Sequence, residues 1–174
     1  MGRLIVIDGL DGSGKTTQSE RLYNELVAQG KSVRLISFPD YKSKSSTLVK
    51  MYLGGEFGTD PESVNAYAAS TFYAVDRYAS FKCDWKEFYE NPDSVVITNR
   101  YTTSNAVHQL EKIDREKWDE YLSWLFDFEY NKLGIPSPDL VMFLEMKPDI
   151  ALELVKKRSA ETGQKQDIHE LDPD

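Results

Sequence analysis

Cysteine is almost missing. Cys83 is the only one in 174 residues, so no intrachain disulfide framework is available, and a reducing compartment, the cytoplasm, is expected. Positive charge is also in deficit: 21 Lys and Arg against 29 Asp and Glu leave a net charge of −8. That argues against a nucleic-acid track, since such surfaces are usually strongly basic, but it leaves room for a local phosphate pocket. No apolar run approaches the length of a membrane span, and Asp8 cuts the N-terminal one short of a secretory signal. The expected partners are therefore small molecules, with neither nucleic acid nor membrane. A chain of this length suits one α/β domain with a real core.

What the sequence does have is concentrated near its start. Gly9-Leu10-Asp11-Gly12-Ser13-Gly14-Lys15-Thr16 fits G-x-x-x-x-G-K-[ST] at every specified position. It follows the strand-like run Arg3 to Asp8 and precedes a helical pattern, Thr17 to Leu26, closed by Gly30. Glycines there let backbone N–H groups curl round a phosphate, and the helix beginning near Lys15 turns its positive dipole end to the same anion. Lys15 supplies a cation to the β- and γ-phosphates, and the Thr16 hydroxyl is a ligand for Mg²⁺. This is a P-loop, and ATP or a similar triphosphate is the implied donor.

Further along, Ser32 to Phe38 reads as a second strand ended by Pro39, followed by a polar loop, 39–46, at a strand's carboxyl end. Asp60-Pro61-Glu62 looks like a helix start, with the helix running to about Lys82. Within it Tyr73 and Arg77 are four apart and share a face with the small Ser70 and Ala74. That pair is either a ligand site or a core contact with a cation–π neighbour. Ser94 to Thr98 is β-branched enough for the buried central strand, and it ends in Asn99-Arg100-Tyr101. An Arg at that end must meet an anion, a phosphate or a structural carboxylate, and the guanidinium fork favours phosphate. Ser104, Asn105, His108 and Gln109 follow with hydrogen-bonding side chains. Asp114 to Tyr130 is amphipathic and aromatic-rich, Asp139 to Glu145 is a fourth strand, and Asp149 to Arg158 a last helix. Strands separated by helices predict a parallel sheet with helices on both faces.

Taken together, Gly9 to Thr17, Phe38-Pro39, Tyr73-Ala74-Val75-Asp76-Arg77, Arg100-Tyr101 with Ser104 and Gln109, and Pro138-Asp139-Leu140-Val141 resemble the thymidylate kinases, in order, over nearly the whole chain. The resemblance implies a three-layer P-loop kinase fold, a homodimer, and transfer of the ATP γ-phosphoryl, with Mg²⁺, to thymidine monophosphate. It further implies ATP binding by Gly9, Asp11, Gly12, Ser13, Gly14, Lys15, Thr16 and Thr17. Substrate binding would fall to Phe38, Tyr73, Arg77, Arg100, Ser104, Asn105 and Gln109, and catalysis to Lys15, Asp11, Arg100 and the lid residue Arg158, with Lys165 a weaker lid candidate. Asn99 stands where many relatives carry Asp, which moves the expected metal ligands to Thr16 and Asp8. Residues 1–174 are read as one domain with a mobile lid around 158–170, lacking the family's last strand and helix. A regulatory GTPase is disfavoured because Asn131-Lys132-Leu133-Gly134 misses the Asp of the guanine reader. A deoxynucleoside kinase, a kinase for another nucleoside monophosphate, and a non-catalytic nucleotide-binding protein stay open as alternatives.

Overall fold

Four short runs of β-branched and aliphatic residues form the sheet: β1 Arg3–Gly9, β2 Ser32–Ser37, β3 Ser94–Asn99 and β4 Leu140–Leu144. They lie parallel in the order β2-β3-β1-β4. The computed structural model describes residues 1–147, 149–151 and 153–156, and every structural statement below concerns these. The lid region, Arg158 and Lys165 lie outside them.

Strand pairing follows from residue alternation. Leu4, Val6 and Val96 turn to one face and build the main core with Phe38, Phe81, Trp85, Tyr89, Tyr101 and Ile135, all nine-tenths or more buried. Ile7 and Met142 turn to the other face, where helix α1, Lys15–Ala28, lies across the sheet with Leu22 towards them. Helices on both faces are thus in place, as the sequence predicts. Asp139 pins the outer strand: its carboxylate accepts the Leu4 N–H at 2.7 Å, and its own N–H donates to Leu4 O at 2.9 Å. Beyond β4 no further strand is paired among the described residues, and Leu140 and Phe143 are half-exposed there.

One predicted helix is corrected. Asp60 does cap, accepting the Glu62 N–H, but it starts only a single 3₁₀ turn, Pro61–Ser63. Val64 is extended, and Asn65 caps afresh, accepting the Ala68 N–H, to start α3, Ala66–Ser80. The chain then widens into a π-helical turn, Phe81–Trp85, and a short α4, Lys86–Tyr89. A side-chain cap twice within six residues is what divides the segment. Sequence reading also left unassigned the helix α2, Thr47–Leu53. After β3 come α5, Thr102–Gln109, and α6, Trp118–Phe126, the latter continuing as a π-helical turn, Asp127–Lys132. This last piece is aromatic and amphipathic, and Tyr121 and Leu125 sit wholly buried in a core that includes Ala66 of α3.

Candidate active site

The carboxyl ends of β1 and β3 are neighbours (Ile7 is in register with Asn99), so the loops that follow them meet. The first is the P-loop. Gly9 and Gly12 take φ of 146° and 80°, conformations open mainly to glycine. A Cβ at Gly12 would lie 2.5 Å from Ala151 O, and one at Gly9 would lie 2.6 Å from Leu144 O. The loop is therefore wedged against the strand and helical turn behind it, which fixes its shape before any ligand arrives.

Lys15 is folded into this loop. Its Nζ donates to Gly9 O at 2.9 Å and Leu10 O at 2.6 Å, and it lies 3.6 Å from Asp11 Oδ1. Burial, then the nearby Arg100, lower its pKa from 10.5 to about 8, against the pull of Asp11 and Asp8. The two carbonyl oxygens occupy the donors that a phosphate would take. At Asp11 burial works to raise the pKa, but Arg100 and Lys15 outweigh it and hold the carboxyl below 3.8.

The second loop carries Arg100, the only non-glycine residue at positive φ among the described residues, at 65°. Such backbone costs about 1–3 kcal/mol and gathers at functional sites. Its N–H donates to Ile7 O at 3.0 Å, and the Thr98 hydroxyl donates to its carbonyl at 2.8 Å, which holds the turn. The guanidinium spans the mouth of the P-loop: Nη2 donates to Asp11 Oδ1 at 2.5 Å, Nη1 lies 3.0 Å from His108 Nε2 and 3.4 Å from Ser104 Oγ. Arg100 is a donor only, so His108 Nε2 is the acceptor in this contact.

Asp8, 1 % exposed, is tied to the start of α5: it accepts Thr103 Oγ1 at 2.6 Å and Ser104 Oγ at 2.8 and 3.0 Å. Asn99 Nδ2 donates to the Thr16 hydroxyl at 3.2 Å, while its buried Oδ1 has no partner among the described residues. Lys15, Asp11, Thr16, Asn99, Arg100 and Ser104 are thus brought together. A family model described as thymidylate kinase matches residues 7–171. The chain belongs to the thymidylate kinase family. A thymidylate kinase of Mycobacterium tuberculosis is 32 % identical over 171 residues, 97 % of this chain and 78 % of the relative. The human thymidylate kinase is 27 % identical over 146 residues, 84 % of this chain and 62 % of its own. The solved structure of thymidylate kinase from Candida albicans superposes with a TM-score of 0.67 at 25 % identity, covering 98 % of this chain and 71 % of that one. Phosphorylation of thymidine monophosphate is the known function of thymidylate kinases.

Other expected residues are placed differently. Arg77 is 1 % exposed and paired with Glu129, its guanidinium carbon 6.0 Å from the Tyr101 ring centroid. Phe38 is core, its ring 5.9 Å from that of Tyr101. Tyr73 meets Tyr52 edge-on at 6.4 Å, Asn105 Nδ2 donates to Ser70 O at 3.2 Å, and Gln109 Oε1 is buried without a partner among the described residues. The sequence reading gave two acids no role of their own. Asp76, 1 % exposed, accepts the Asp40 N–H at 2.8 Å and the Ser45 hydroxyl at 2.5 Å, so it fastens the 39–46 loop to α3. Glu129 is the other. Its signal was a lone acid at the spacing of Tyr121 and Leu125, on a face too apolar for an unpaired charge.

Proposed function

We propose that the cluster where the P-loop meets the β3–α5 turn is the catalytic centre for transfer of the ATP γ-phosphoryl to thymidine monophosphate. An oxygen of the acceptor phosphate attacks the γ-phosphorus, the bond from that phosphorus to the β–γ bridging oxygen breaks, and ADP leaves. The acceptor is already anionic, so no general base is needed, and alignment plus charge neutralisation are sufficient. The backbone of Gly9 to Thr17 cradles the donor phosphates, with Ser13, Gly14 and Thr17 contributing at the start of α1. Lys15 leaves its two carbonyl partners for the donor phosphates. Arg100 grips the acceptor phosphate, and Asp11 holds Arg100 in place while facing the acceptor's sugar and phosphate. Tyr73 stacks on the base, with Arg77, Ser104, Asn105, Gln109 and Phe38 shaping its surroundings. The observation that carries this reading is Arg100: a strained backbone places a guanidinium, shared by Asp11 and His108, directly at the P-loop mouth.

Mg²⁺ fits the oxygen donors present. The exposed Thr16 hydroxyl lies beside Asn99, whose buried Oδ1 has no partner among the described residues, and hard oxygen ligands of this kind suit the ion. Asp8 stands behind them, its carboxylate taken up by Thr103 and Ser104. When bound, the ion neutralises charge shared by the β- and γ-phosphates. We further propose a homodimer, supported by Val75 and Tyr78 of α3 and Val107 of α5, which lie exposed at 41 %, 37 % and 39 %. A cytoplasmic setting suits the single, exposed Cys83.

Lys15 gives a direct test of donor binding. Burial and Arg100 hold its pKa near 8, and bound phosphates raise it. Above pH 8 the free protein holds Lys15 mostly neutral, so ATP binding takes up a proton. Calorimetry at about pH 8.5 in buffers of different ionisation enthalpy should show that uptake, fading towards pH 7. Equal uptake at both pH values, or none at either, counts against Lys15 as the donor-phosphate cation.

A further inference from the structure

Glu129 is fully buried on the turn that follows α6. Its Oε2 accepts from Arg77 Nε at 2.7 Å and from the Thr102 hydroxyl at 2.9 Å, and its Oε1 accepts from Arg77 Nη2 at 2.5 Å. One carboxylate therefore joins three places that the sequence keeps far apart. Arg77 lies on α3 one turn after Tyr73, Thr102 is the first residue of α5 and follows Arg100 by two, and Glu129 belongs to the aromatic segment beneath both. The Tyr101 ring closes the group from the side, with the Arg77 guanidinium carbon 6.0 Å from its centroid.

A pair of charges in this position is a poor way to gain stability, because desolvating both cancels most of their attraction. Burial works against the Arg77 charge, and Glu129 overrides it, keeping the guanidinium protonated. What the pair does supply is direction. A guanidinium has five N–H donors in a rigid fork. Glu129 takes the Nε and Nη2 edge, so Nη1 lies outside the two-pronged pair. The direction of the Arg77 guanidinium is consequently set by the carboxylate on its Nε and Nη2 edge. The hydroxyl of Thr102 locks the same carboxylate to the turn that carries Arg100.

We propose that Glu129 is a positioning residue for the phosphate acceptor. It fixes the Arg77 guanidinium on the helix that carries Tyr73, and through Thr102 it sets that helix, α3, in register with Arg100. The proposal rests on the reading that Tyr73, Arg77 and Arg100 face thymidine monophosphate.

The test is the full chain carrying Glu129→Gln, with KM measured separately for thymidine monophosphate and ATP beside a thermal melt. The acceptor KM should rise about ten-fold or more while that for ATP stays within about two-fold. Glu129→Asp, which keeps the charge, should recover part of the loss. An unchanged acceptor KM, or both KM values rising together, overturns the proposal and leaves Glu129 a packing residue. Should Glu129→Gln fail to fold, Thr102→Val decides, since it removes one hydrogen bond of the three. It should raise the acceptor KM about three-fold with the ATP value unchanged, and an unaltered acceptor KM rejects the idea. Wild-type protein that ignores thymidine monophosphate overturns the underlying reading, and this proposal with it. Wild-type turnover with unselective variants overturns this proposal alone.

Discussion

Replacing Arg100 by Ala raises KM for thymidine monophosphate about a hundred-fold and leaves that for ATP within about three-fold. The asymmetry follows from where the guanidinium sits. It reaches from the end of β3 to Asp11 on the P-loop and to His108 on α5, whereas Lys15 is the cation turned into the loop itself. Arg100 is mostly buried, with 17 % of its side chain exposed against 46 % for Asp11, so its end of the contact is partly shielded from water. Losing one partner of a hydrogen-bonded charge pair in such a place costs about 2–5 kcal/mol, and each 1.4 kcal/mol is a factor of ten. Alanine is an L residue like arginine and carries the same strain at φ 65°, so the substitution isolates the side chain. Arg100→Lys should fall between, keeping charge but losing the two-pronged fork. Steady-state kinetics with each substrate varied in turn is the check. Equal losses for donor and acceptor would remove Arg100 from the acceptor phosphate.

Lys15→Ala lowers kcat about a thousand-fold without lowering Tm. Groups aimed at charge that develops in the transition state are worth roughly 10²–10³ in rate each, and phosphoryl transfer depends almost wholly on such groups. The second half of the statement separates a catalytic from a structural lysine. Lys15 is 6 % exposed, its pKa is pulled down to about 8, and its partners are two backbone carbonyls of its own loop. An ammonium that burial destabilises contributes little to folding, so its removal leaves Tm level or raises it. A melt shifted down by several degrees, with activity lost only in proportion to unfolded protein, would assign Lys15 to the scaffold.

The parts of this site that the sequence announced are those decided within a few residues. Glycine spacing and the flanking strand and helix made the P-loop readable, because the positive φ of Gly9 and Gly12 is a local demand, whereas their close approach to Leu144 and Ala151 is not. Arg100 was readable for a similar reason: a charge closing a β-branched run has to find an anion. It found one in Asp11, a residue of the P-loop. The division of the 60–82 segment was missed although its signal is also local, since Asn65 is as good a cap as Asp60 and Val64 stands extended between them. Arg77 shows the limit of periodicity. Four-residue spacing put it correctly on one face with Tyr73, but not which way the face turns. Its partner Glu129 lies 52 residues away, and only packing brings them together. The same holds for Asp76 and Ser45, 31 residues apart. Asn99 was noticed as a departure, and what the structure adds is its bond to Thr16 and an Oδ1 without a partner among the described residues.

The central claim is that this P-loop, with Arg100 across its mouth, phosphorylates thymidine monophosphate. The most direct measurement is ADP release from Mg·ATP against a panel of nucleoside monophosphates and free deoxynucleosides. Turnover confined to, or strongest with, thymidine monophosphate is the expected result. Turnover with a free deoxynucleoside in place of the monophosphate, or ATP binding with no transfer to any acceptor, would contradict it.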